Sequence, residues 1–274
     1  MDSKRSFLKK EKLIQYLKSL DSILVAYSGG VDSTLLLSLA HEALGSNVMA
    51  VTADSIIYPT GELTQAREFA KQRGISHILL PFDAIHIKEI VENSPDRCYF
   101  CKKALFKKLL EISKEKDLKY VAHAANIDDM KDFRPGQRAA EEMGILAPLV
   151  HADMNKEEIR YISKDMGLPT WDKPSMACLA SRIPYGDAVR EDFLKMIDKA
   201  EEFLSKQGFR QYRVRLHRDV ARIEVEQSEI KRIIEDKMRA SILNELRKIG
   251  FHHIAVDLEG FVSGKMNRVL DLEG

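Results

Sequence analysis

A chain of 274 residues is longer than the roughly 100–200 residues of a typical single domain, so one large domain or two modest domains are expected. The 43 Lys and Arg residues nearly balance the 42 Asp and Glu residues, and the formal charge of +1 argues against proteins that hold nucleic acid or membranes by overall charge. No apolar run approaches the ~18 residues of a membrane span, and the N-terminus lacks the apolar core of a signal peptide. The predicted compartment is therefore the cytoplasm.

After an amphipathic helix over residues 4–20, the first predicted strand turns into a helix through two glycines. The turn reads Ser28-Gly29-Gly30-Val31-Asp32-Ser33. Glycines let the backbone approach a ligand closely, and a helix N-terminus offers unpaired N–H groups and a positive dipole. Serine hydroxyls add further donors, so the turn predicts a phosphate site. The P-loop of kinase-like NTPases carries a lysine directly after its glycines. This chain does not, which indicates a different class of phosphate loop.

The next elements alternate between strand and helix. Strands are predicted over residues 47–52, 75–80 and 119–122, and helices over 60–73, 84–92 and from the C-x-x-C segment to about 115. This order predicts a parallel sheet, whose ligands bind outside the carboxyl ends of the strands. Asp54 and Asn126 follow two of these strands and are expected on the same rim as the loop. Asp54 is a candidate contact to adenosine, or alternatively a turn or capping aspartate.

Three aspartates follow Asn126, at positions 128, 129 and 132. Carboxylate oxygens could hold Mg²⁺ together with water and phosphate oxygens. The same residues could instead cap the turn that follows. Residues 156–166 then read as another helix, and residues 168–174 as a proline-rich loop.

The three cysteines are arranged as a C-x-x-C pair, Cys98 and Cys101, and a distant third, Cys178. In a reducing compartment such cysteines indicate chemistry rather than disulfides. Three thiolates can hold three corners of an iron–sulfur cubane and leave one iron open. Zinc would require a fourth ligand such as His123, and three independent thiols are the remaining alternative. Basic residues beside the cysteines favour thiolates: Arg97, Lys102 and Arg182.

The composition shifts near residues 183–186, where we predict a domain boundary. Residues 1–186 would form the nucleotide domain and residues 187–274 a smaller α+β domain for substrate binding or oligomerisation. The second domain is predicted as a helix over 190–207, strands over 210–216 and 221–225, a long helix over 228–249 and a strand over 252–257.

Arg213 and Arg215 alternate on a predicted strand and should share one face. Arg222 lies on the next predicted strand. Arginine forks bind phosphate groups bidentately, so these strands could bind a substrate phosphate. We assign that phosphate to Arg182, Arg213 and Arg215. The alternative for the strand is a solvated face whose arginines pair with Glu224 and Glu226.

The loop resembles the SGGxDS motif of the N-type ATP pyrophosphatases, or PP-loop enzymes, which cleave ATP between the α and β phosphates and adenylate their substrates. The resemblance implies an adenine nucleotide alpha-hydrolase sheet of Rossmann-like type and a catalytic role for Asp32. Contacts to ATP would come from the loop and its neighbours on the rim: Ser28, Gly29, Gly30, Asp32, Ser33, Asp54 and Asn126. The alternative is an ordinary glycine-rich turn between a strand and a helix.

Over nearly its whole length the sequence resembles the LarE family of ATP-dependent sulfur transferases, which help to make the nickel-pincer nucleotide cofactor of lactate racemase. Besides the loop, the matching segments are Asn126 with residues 132–136, and residues 180–186, 213–215, 221–224 and 263–267. The resemblance implies that a pyridinium carboxylate mononucleotide is adenylated with ATP and Mg²⁺, and that sulfur then attacks the acyl-adenylate to give a thiocarboxylate. It also implies a homo-oligomer, a hexamer. Residues 123–125 depart from relatives, which often carry Asp-Gly-Thr there.

The family has two branches that differ in the origin of the sulfur. In one branch a single cysteine, in the loop that contains Cys178 here, surrenders its own sulfur and becomes dehydroalanine. In the other branch three cysteines hold a [4Fe-4S] cluster whose unique iron binds hydrosulfide. By resemblance, Cys98, Cys101 and Cys178 place this chain in the second branch, with sulfide or a persulfide as the donor. Sacrificial use of Cys178 is the alternative.

Two other functions use the same kind of loop. A tRNA thiolase would share the loop and a three-cysteine cluster, but those enzymes usually add zinc-binding cysteine pairs and a basic RNA-binding surface, for which this sequence gives no sign. A nucleotide sensor would bind ATP without forming AMP.

Overall fold

The computed structural model describes residues 3–131 and 135–269. The chain divides into two compact units. Unit 1 comprises Met1–Ser55, Thr60–Ile87 and Asp96–Met176, and unit 2 comprises Ile56–Pro59, Lys88–Pro95 and Ala177–Gly274. The chain passes between the units repeatedly, for the last time between Met176 and Ala177. The domain boundary after residue 186 stays a prediction.

Helices and strands alternate through the first part of the chain, as the sequence predicts. In chain order they are α1 (Ser3–Lys18), β1 (Ile23–Ala26), α2 (Val31–Leu44), β2 (Val48–Asp54), α3 (Thr60–Gln72), β3 (Ser76–Pro81), α4 (Lys88–Val91), α5 (Arg97–Glu115), β4 (Tyr120–Ala122), α6 (Pro135–Glu142), α7 (Pro148–His151) and α8 (Lys156–Asp165). All of these elements except α4 belong to unit 1.

The sheet of unit 1 is parallel and has the strand order β3-β2-β1-β4. β1 is an inner strand, and its residues Ile23, Leu24 and Val25 are fully buried, as expected for a parallel strand that is covered on both faces. The apolar side of α2 and residues Leu13 and Leu17 of α1 join the same core. This packing places the carboxyl end of β1, and the glycine loop after it, at the rim of the sheet. The predicted α/β fold class is confirmed.

Unit 2 is built around a small second sheet. Its later elements are α9 (Glu191–Lys206), β5 (Tyr212–His217), β6 (Val220–Val225), α10 (Ile230–Ile234), α11 (Asp236–Ile249) and β7 (His253–Val256). β5 and β6 are antiparallel, and β6 and β7 are parallel. The order of helix and strands agrees with the prediction of a smaller α+β region.

Two predicted helices are interrupted in the structure. The helix predicted over residues 228–249 breaks at Glu235, which is extended (ψ 141°) and whose carbonyl accepts the Arg239 N–H at 2.8 Å to begin α11. The helix predicted over residues 84–92 breaks at Ile87, where the backbone is extended and the chain leaves unit 1 for unit 2. Helical patterns continue on both sides of each break, so a single extended residue leaves no mark in the pattern.

The segment Lys88–Pro95 belongs to unit 2, and the side chain of Asn93 bonds it to the later part of that unit. Asn93 is fully buried, and its amide donates to the carbonyls of Ile183, Pro184 and Asp187 at 3.2, 2.6 and 3.0 Å. The Asn93 side chain therefore ties the turn at residues 183–187 to the early segment of unit 2. No helix in the described ranges is long and apolar enough to cross a membrane.

Candidate functional site

The loop after β1 has a backbone that only glycine adopts without strain. Gly29 has φ +72°, and a Cβ added there would lie 3.3 Å from the Cβ of Ala66 on α3. Gly30 is extended and is the residue before α2, and no side chain caps that helix. Because Gly30 has no side chain, it leaves the first N–H groups of α2 uncapped, which is the arrangement of an anion site.

Two serines of the loop face each other across this helix start. The hydroxyls of Ser28 and Ser33 are 3.0 Å apart, and the Gly30 N–H donates to the Ser28 hydroxyl at 3.4 Å. Ser33 also donates to the Gly30 carbonyl at 3.2 Å. The structure therefore brings the predicted loop residues together as a compact group of hydroxyl and N–H donors.

Asp32 lies in the first turn of α2 and contacts residues from two distant parts of unit 1. Its carboxylate accepts a hydrogen bond from the Asn126 amide at 3.3 Å and forms an ion pair with the Lys156 ammonium. Asn126 is fully buried, and its side-chain oxygen accepts the Asp128 N–H at 2.9 Å. Asn126 and Asp32, both predicted site residues, are therefore held beside the loop by a folded turn.

Lys156 was not among the residues that the sequence predicts for this site. It is the first residue of α8, a helix that begins with a capping box between Asn155 and Glu158. No lysine follows the glycines in the sequence, but α8 places Lys156 beside Asp32, from which it is separated by 124 positions. The capping box does mark the helix start in the sequence. Nothing local indicates that this start meets the loop.

A second lysine reaches the other side of the loop. Lys173 lies in the strap, which we define as residues 168–174, and its ammonium donates to the Gly29 carbonyl at 3.1 Å. It also donates to Glu62 and Gln65 of α3, each at 2.9 Å. The sequence predicts the strap only as a proline-rich loop and assigns Lys173 no role.

The remaining carboxylates of the rim have different surroundings. Asp54 ends β2 with an exposed side chain, and its carbonyl accepts the Phe82 N–H at 2.8 Å. Asp128 accepts the Lys156 N–H at 2.9 Å, and Asp129 accepts the Asn126 N–H at 3.0 Å. Asp128 thus bonds to the start of α8, and Asp129 closes the turn that begins at Asn126; both the Mg²⁺ hypothesis and the capping of the following turn stay predictions. Asp132 lies outside the described residues, as do the two residues that follow it.

Two of the cysteines lie on the first turns of α5. Cys98 and Cys101 are three residues apart on this helix, so they share a face, and both are half-buried. The start of α6 packs against the same turn, because a Cβ added to Gly136 would lie 2.9 Å from Lys102 Cγ and 3.4 Å from the Cys98 carbonyl oxygen. Gly136 thus has a packing role beside the C-x-x-C segment.

His123 follows β4 and packs edge-to-face against Phe106 of α5, with ring centres 5.7 Å apart. Burial, assisted by the positive charge of Lys102, lowers the pKa of His123 to about 3. The imidazole is therefore neutral at physiological pH.

Cys178 lies in unit 2, before a 3₁₀ turn over Leu179–Arg182. Arg182 is fully buried and donates to the carbonyls of Ala177 and Cys178 at 2.8 and 3.1 Å. Its other nitrogens form a bidentate pair with Glu201, both bonds being 2.8 Å. Burial acts to lower the pKa of Arg182, but the Glu201 carboxylate outweighs it and raises that pKa. Arg182 thus braces the loop of Cys178.

Arg213 and Arg215 are buried in unit 2. Arg215 pairs with Glu224 at 2.9 Å and donates to the Ser181 carbonyl at 2.9 Å. Burial, together with the charge of Arg182, lowers the pKa of Arg213 to about 10. The alternative that these arginines lie on a solvent-exposed face is therefore wrong, because both are buried. Its prediction of a pair with Glu224 is confirmed for Arg215.

The structure brings the three arginines into one unit, together with Glu201 and Glu224. These five side chains carry three positive and two negative charges.

In the described ranges, no group of three or more His, Cys, Asp or Glu side chains is gathered that could hold a metal ion.

Known proteins resemble this chain to different extents. The NAD synthase family matches residues 5–111. An uncharacterised protein of Synechocystis is 40% identical over 262 residues, which are 96% of this chain and 98% of that protein. Pyridinium-3,5-bisthiocarboxylic acid mononucleotide synthase of Lactiplantibacillus plantarum is 35% identical over 263 residues, or 96% of this chain and 95% of that enzyme. A tRNA-specific 2-thiouridylase of Xanthobacter autotrophicus is 27% identical over 205 residues, covering 60% of this chain and 52% of that enzyme.

Proposed function

The chain belongs to the LarE family of PP-loop sulfur transferases, which are ATP-using enzymes, and we propose that it converts a pyridinium carboxylate mononucleotide to a thiocarboxylate. The observation that carries the proposal is the similarity to the pyridinium-3,5-bisthiocarboxylic acid mononucleotide synthase, which extends over 96% of this chain. The name of that relative describes a product with thiocarboxylates at two ring positions. We accordingly propose a pyridinium-3,5-biscarboxylate mononucleotide, or its half-converted form, as the substrate.

The first half-reaction is adenylation at the loop. A carboxylate is a poor electrophile, so one of its oxygens attacks the α-phosphorus of ATP, the bond to the β-phosphate oxygen breaks, and an acyl-adenylate and pyrophosphate result. Negative charge accumulates on the departing pyrophosphate. The N–H groups at the start of α2, the Ser28 and Ser33 hydroxyls and the Lys156 ammonium are the groups of this chain that would bind that charge.

A magnesium ion is expected with the nucleotide. The Asp32 carboxylate already accepts the ammonium of Lys156, so its surroundings suit a cation, and it is the residue we propose as a ligand. When bound, the ion would neutralise part of the phosphate charge.

The second half-reaction needs a sulfur nucleophile. We propose that Cys98, Cys101 and Cys178 hold a [4Fe-4S] cluster. Support for this ligand set comes from the family resemblance and from the position of Cys98 and Cys101, two half-buried thiols on one helix turn. The three thiolates would hold the cluster, and that group, when bound, would supply the sulfur nucleophile. Sulfur attack on the acyl carbon and loss of AMP from it give the thiocarboxylate.

The substrate phosphate is assigned to the arginines of unit 2. Arg182, Arg213 and Arg215 are all buried in unit 2, and guanidinium groups bind phosphate oxygens bidentately. We also propose that the protein forms a homo-oligomer and that sulfide or a persulfide is the sulfur donor.

The two half-reactions can be separated by two variants. With ATP, Mg²⁺ and the biscarboxylate mononucleotide, Asp32→Asn should lower formation of AMP and pyrophosphate at least 100-fold, because the carboxylate beside the helix start is lost. Cys178→Ser should still release pyrophosphate but form no thiocarboxylate. Asp83→Asn, an exposed aspartate of unit 1, is the control. If Cys178→Ser loses both half-reactions equally, the separate sulfur role is refuted.

Iron and acid-labile sulfide per chain, measured on anaerobically purified protein, test the ligand set. Serine variants at each of the three cysteines should all lose the cluster. The alternative is that Cys178 donates its own sulfur and each chain acts once. Absence of iron after reconstitution, together with a mass decrease equal to one hydrogen sulfide at Cys178 after turnover, would establish that alternative.

A further inference from the structure

The strap contributes a residue to the nucleotide site that neither the motif nor the family resemblance identifies. We propose that Lys173 is a positioning residue that sets the orientation of the loop peptide between Gly29 and Gly30. The proposal rests on ATP binding at the loop, as proposed above. It concerns contacts within unit 1 alone.

The three acceptors around Lys173 occupy all of its donors. An ammonium has three N–H groups, and Lys173 directs them at the Gly29 carbonyl, Glu62 and Gln65 at 3.1, 2.9 and 2.9 Å. A phosphate could bind this ammonium only at the loss of one of those bonds. Lys173 therefore holds the loop in place rather than binding the nucleotide. Lys156 differs, because Asp32 is the one acceptor that its ammonium has within the described ranges.

The bond to Gly29 determines where the next N–H points. In a trans peptide the carbonyl and the following N–H point in opposite directions, and the chain has no cis peptide among its described residues. With the Gly29 carbonyl directed at Lys173, the Gly30 N–H is directed at the Ser28 hydroxyl, on the side of the loop where the serines meet. Lys173 thus presents a backbone donor to the anion site.

The loop would not keep this orientation on backbone preference alone. Gly29 has φ +72°, and glycine can adopt many other conformations at little cost. A peptide flanked by two glycines is free to rotate unless a contact restrains it. The Lys173 bond is that restraint on the carbonyl side.

The ammonium is itself well anchored. Glu62 neutralises it, and both side chains are largely buried, with 15% and 18% of their surfaces exposed. Arg160 of α8 donates to the carbonyls of Trp171 and Lys173 at 2.8 and 2.7 Å, which fixes the backbone of the strap. Arg160 and Lys156 are four residues apart on one face of α8. One helix therefore supports both lysines of the site.

The experiment measures binding of inorganic pyrophosphate, ATP and AMP, each with Mg²⁺, to wild type and Lys173→Met. We expect about tenfold weaker binding of pyrophosphate and ATP to Lys173→Met, because the loop donors lose their preset direction. AMP, which lacks the pyrophosphate portion, should bind within twofold of wild type. In turnover, KM for ATP should rise more than kcat falls.

Three further variants separate positioning from charge and from folding. Lys71→Met removes an exposed lysine of α3 and should behave as wild type. Glu62→Gln removes the counter-charge but leaves the Gly29 bond, so pyrophosphate affinity should stay within threefold. Lys173→Arg keeps a donor and should recover part of the affinity, which keeps the test informative if Lys173→Met does not fold.

Unchanged pyrophosphate affinity in folded Lys173→Met would overturn the proposal. So would an equal loss of AMP and pyrophosphate binding, which would indicate general damage to the site. The binding measurements need no turnover. A wild type that binds ATP but forms no AMP with the mononucleotide refutes the proposed function and leaves the Lys173 comparison intact.

Discussion

The nucleotide rim of unit 1 and the arginine cluster of unit 2 both pair basic side chains with carboxylates, but they do so at different depths. At the rim, the side chains of Lys156 and Asp32 remain 34% and 21% exposed. In unit 2, those of Arg182 and Glu201 are 0% and 3% exposed, and their two hydrogen bonds are bidentate. A partly solvated lysine pair can exchange partners at little cost, whereas a buried pair cannot lose one member without leaving a charge in the interior. The rim is therefore suited to binding and release, and the cluster to holding a fixed geometry.

The largest loss of stability is expected when one member of the buried pair is removed. Glu201→Ala leaves the Arg182 charge uncompensated and removes the acceptor of the Val214 N–H, which is 2.9 Å away. We expect a loss of about 3–5 kcal/mol in the free energy of unfolding, measured by urea denaturation. Glu202→Ala on the same helix is the control, since its pair with Lys206 is 61–68% exposed and should contribute about 1 kcal/mol or less. Equal effects of the two variants would contradict the contrast.

His123 shows a third way in which a titratable group can be buried: its imidazole is neutral rather than paired with an opposite charge. Its pKa of about 3 in the folded protein lies below the ordinary value of 6.5, so the unfolded chain binds a proton that the folded chain does not. Protonation therefore favours unfolding, and stability decreases as the pH falls from about 6.5 toward 3. His123→Phe keeps an aromatic ring beside Phe106 but removes this titration.

The effect of His123 is tested by measuring the free energy of unfolding in urea at pH 7 and at pH 5. Wild type should lose about 2 kcal/mol more than His123→Phe over that interval, on the linkage between pKa and stability. The positive charge of Lys102 opposes protonation of the imidazole, so Lys102→Met should reduce the difference. Parallel pH profiles for wild type and His123→Phe would show that the imidazole is not a neutral buried base.

The smallest effect on stability is expected at the rim. Lys156→Met should change the free energy of unfolding by less than about 1 kcal/mol, because the pair with Asp32 is partly solvated. ATP affinity should nevertheless fall about tenfold, because the loop loses the one lysine that Asp32 holds beside it. Lys12→Met, which removes an exposed pair with Asp153, is the control and should alter neither quantity. A large destabilisation by Lys156→Met would make the rim pair structural, like the pair in unit 2.

Much of the fold follows from local patterns in the sequence. The apolar run of β1, the glycines after it and the apolar helix α2 predict a strand, loop and helix in the observed places. The alternation that follows predicts the parallel sheet. The two interrupted helices were missed because a single extended residue, Ile87 or Glu235, leaves the periodicity on both sides intact. A periodic pattern reflects the preferences of many residues, so it does not reveal the backbone conformation of a single residue.

The candidate site was predictable only in part. The motif identifies Ser28, Gly29, Gly30, Asp32 and Ser33, since consecutive residues reach the site together, and Asn126 follows from its place at the end of a parallel strand. Lys156 and Lys173 were not predictable, because they reach the loop from 124 and 144 positions away. The sequence treats Arg182 as a phosphate ligand. The structure adds that it is buried and braces the Cys178 loop.

The phosphate loop, the parallel α/β core and the family could all be predicted from the sequence, because each depends on neighbouring residues or on a pattern that runs along the chain. Which basic residues meet which carboxylates, and how much water reaches them, could be learned only from the folded chain. The strength of a charge pair depends on distance and burial, and both are set by the packing of segments that lie far apart in the sequence. For that reason the loop could be located in advance, whereas the two lysines that serve it could not.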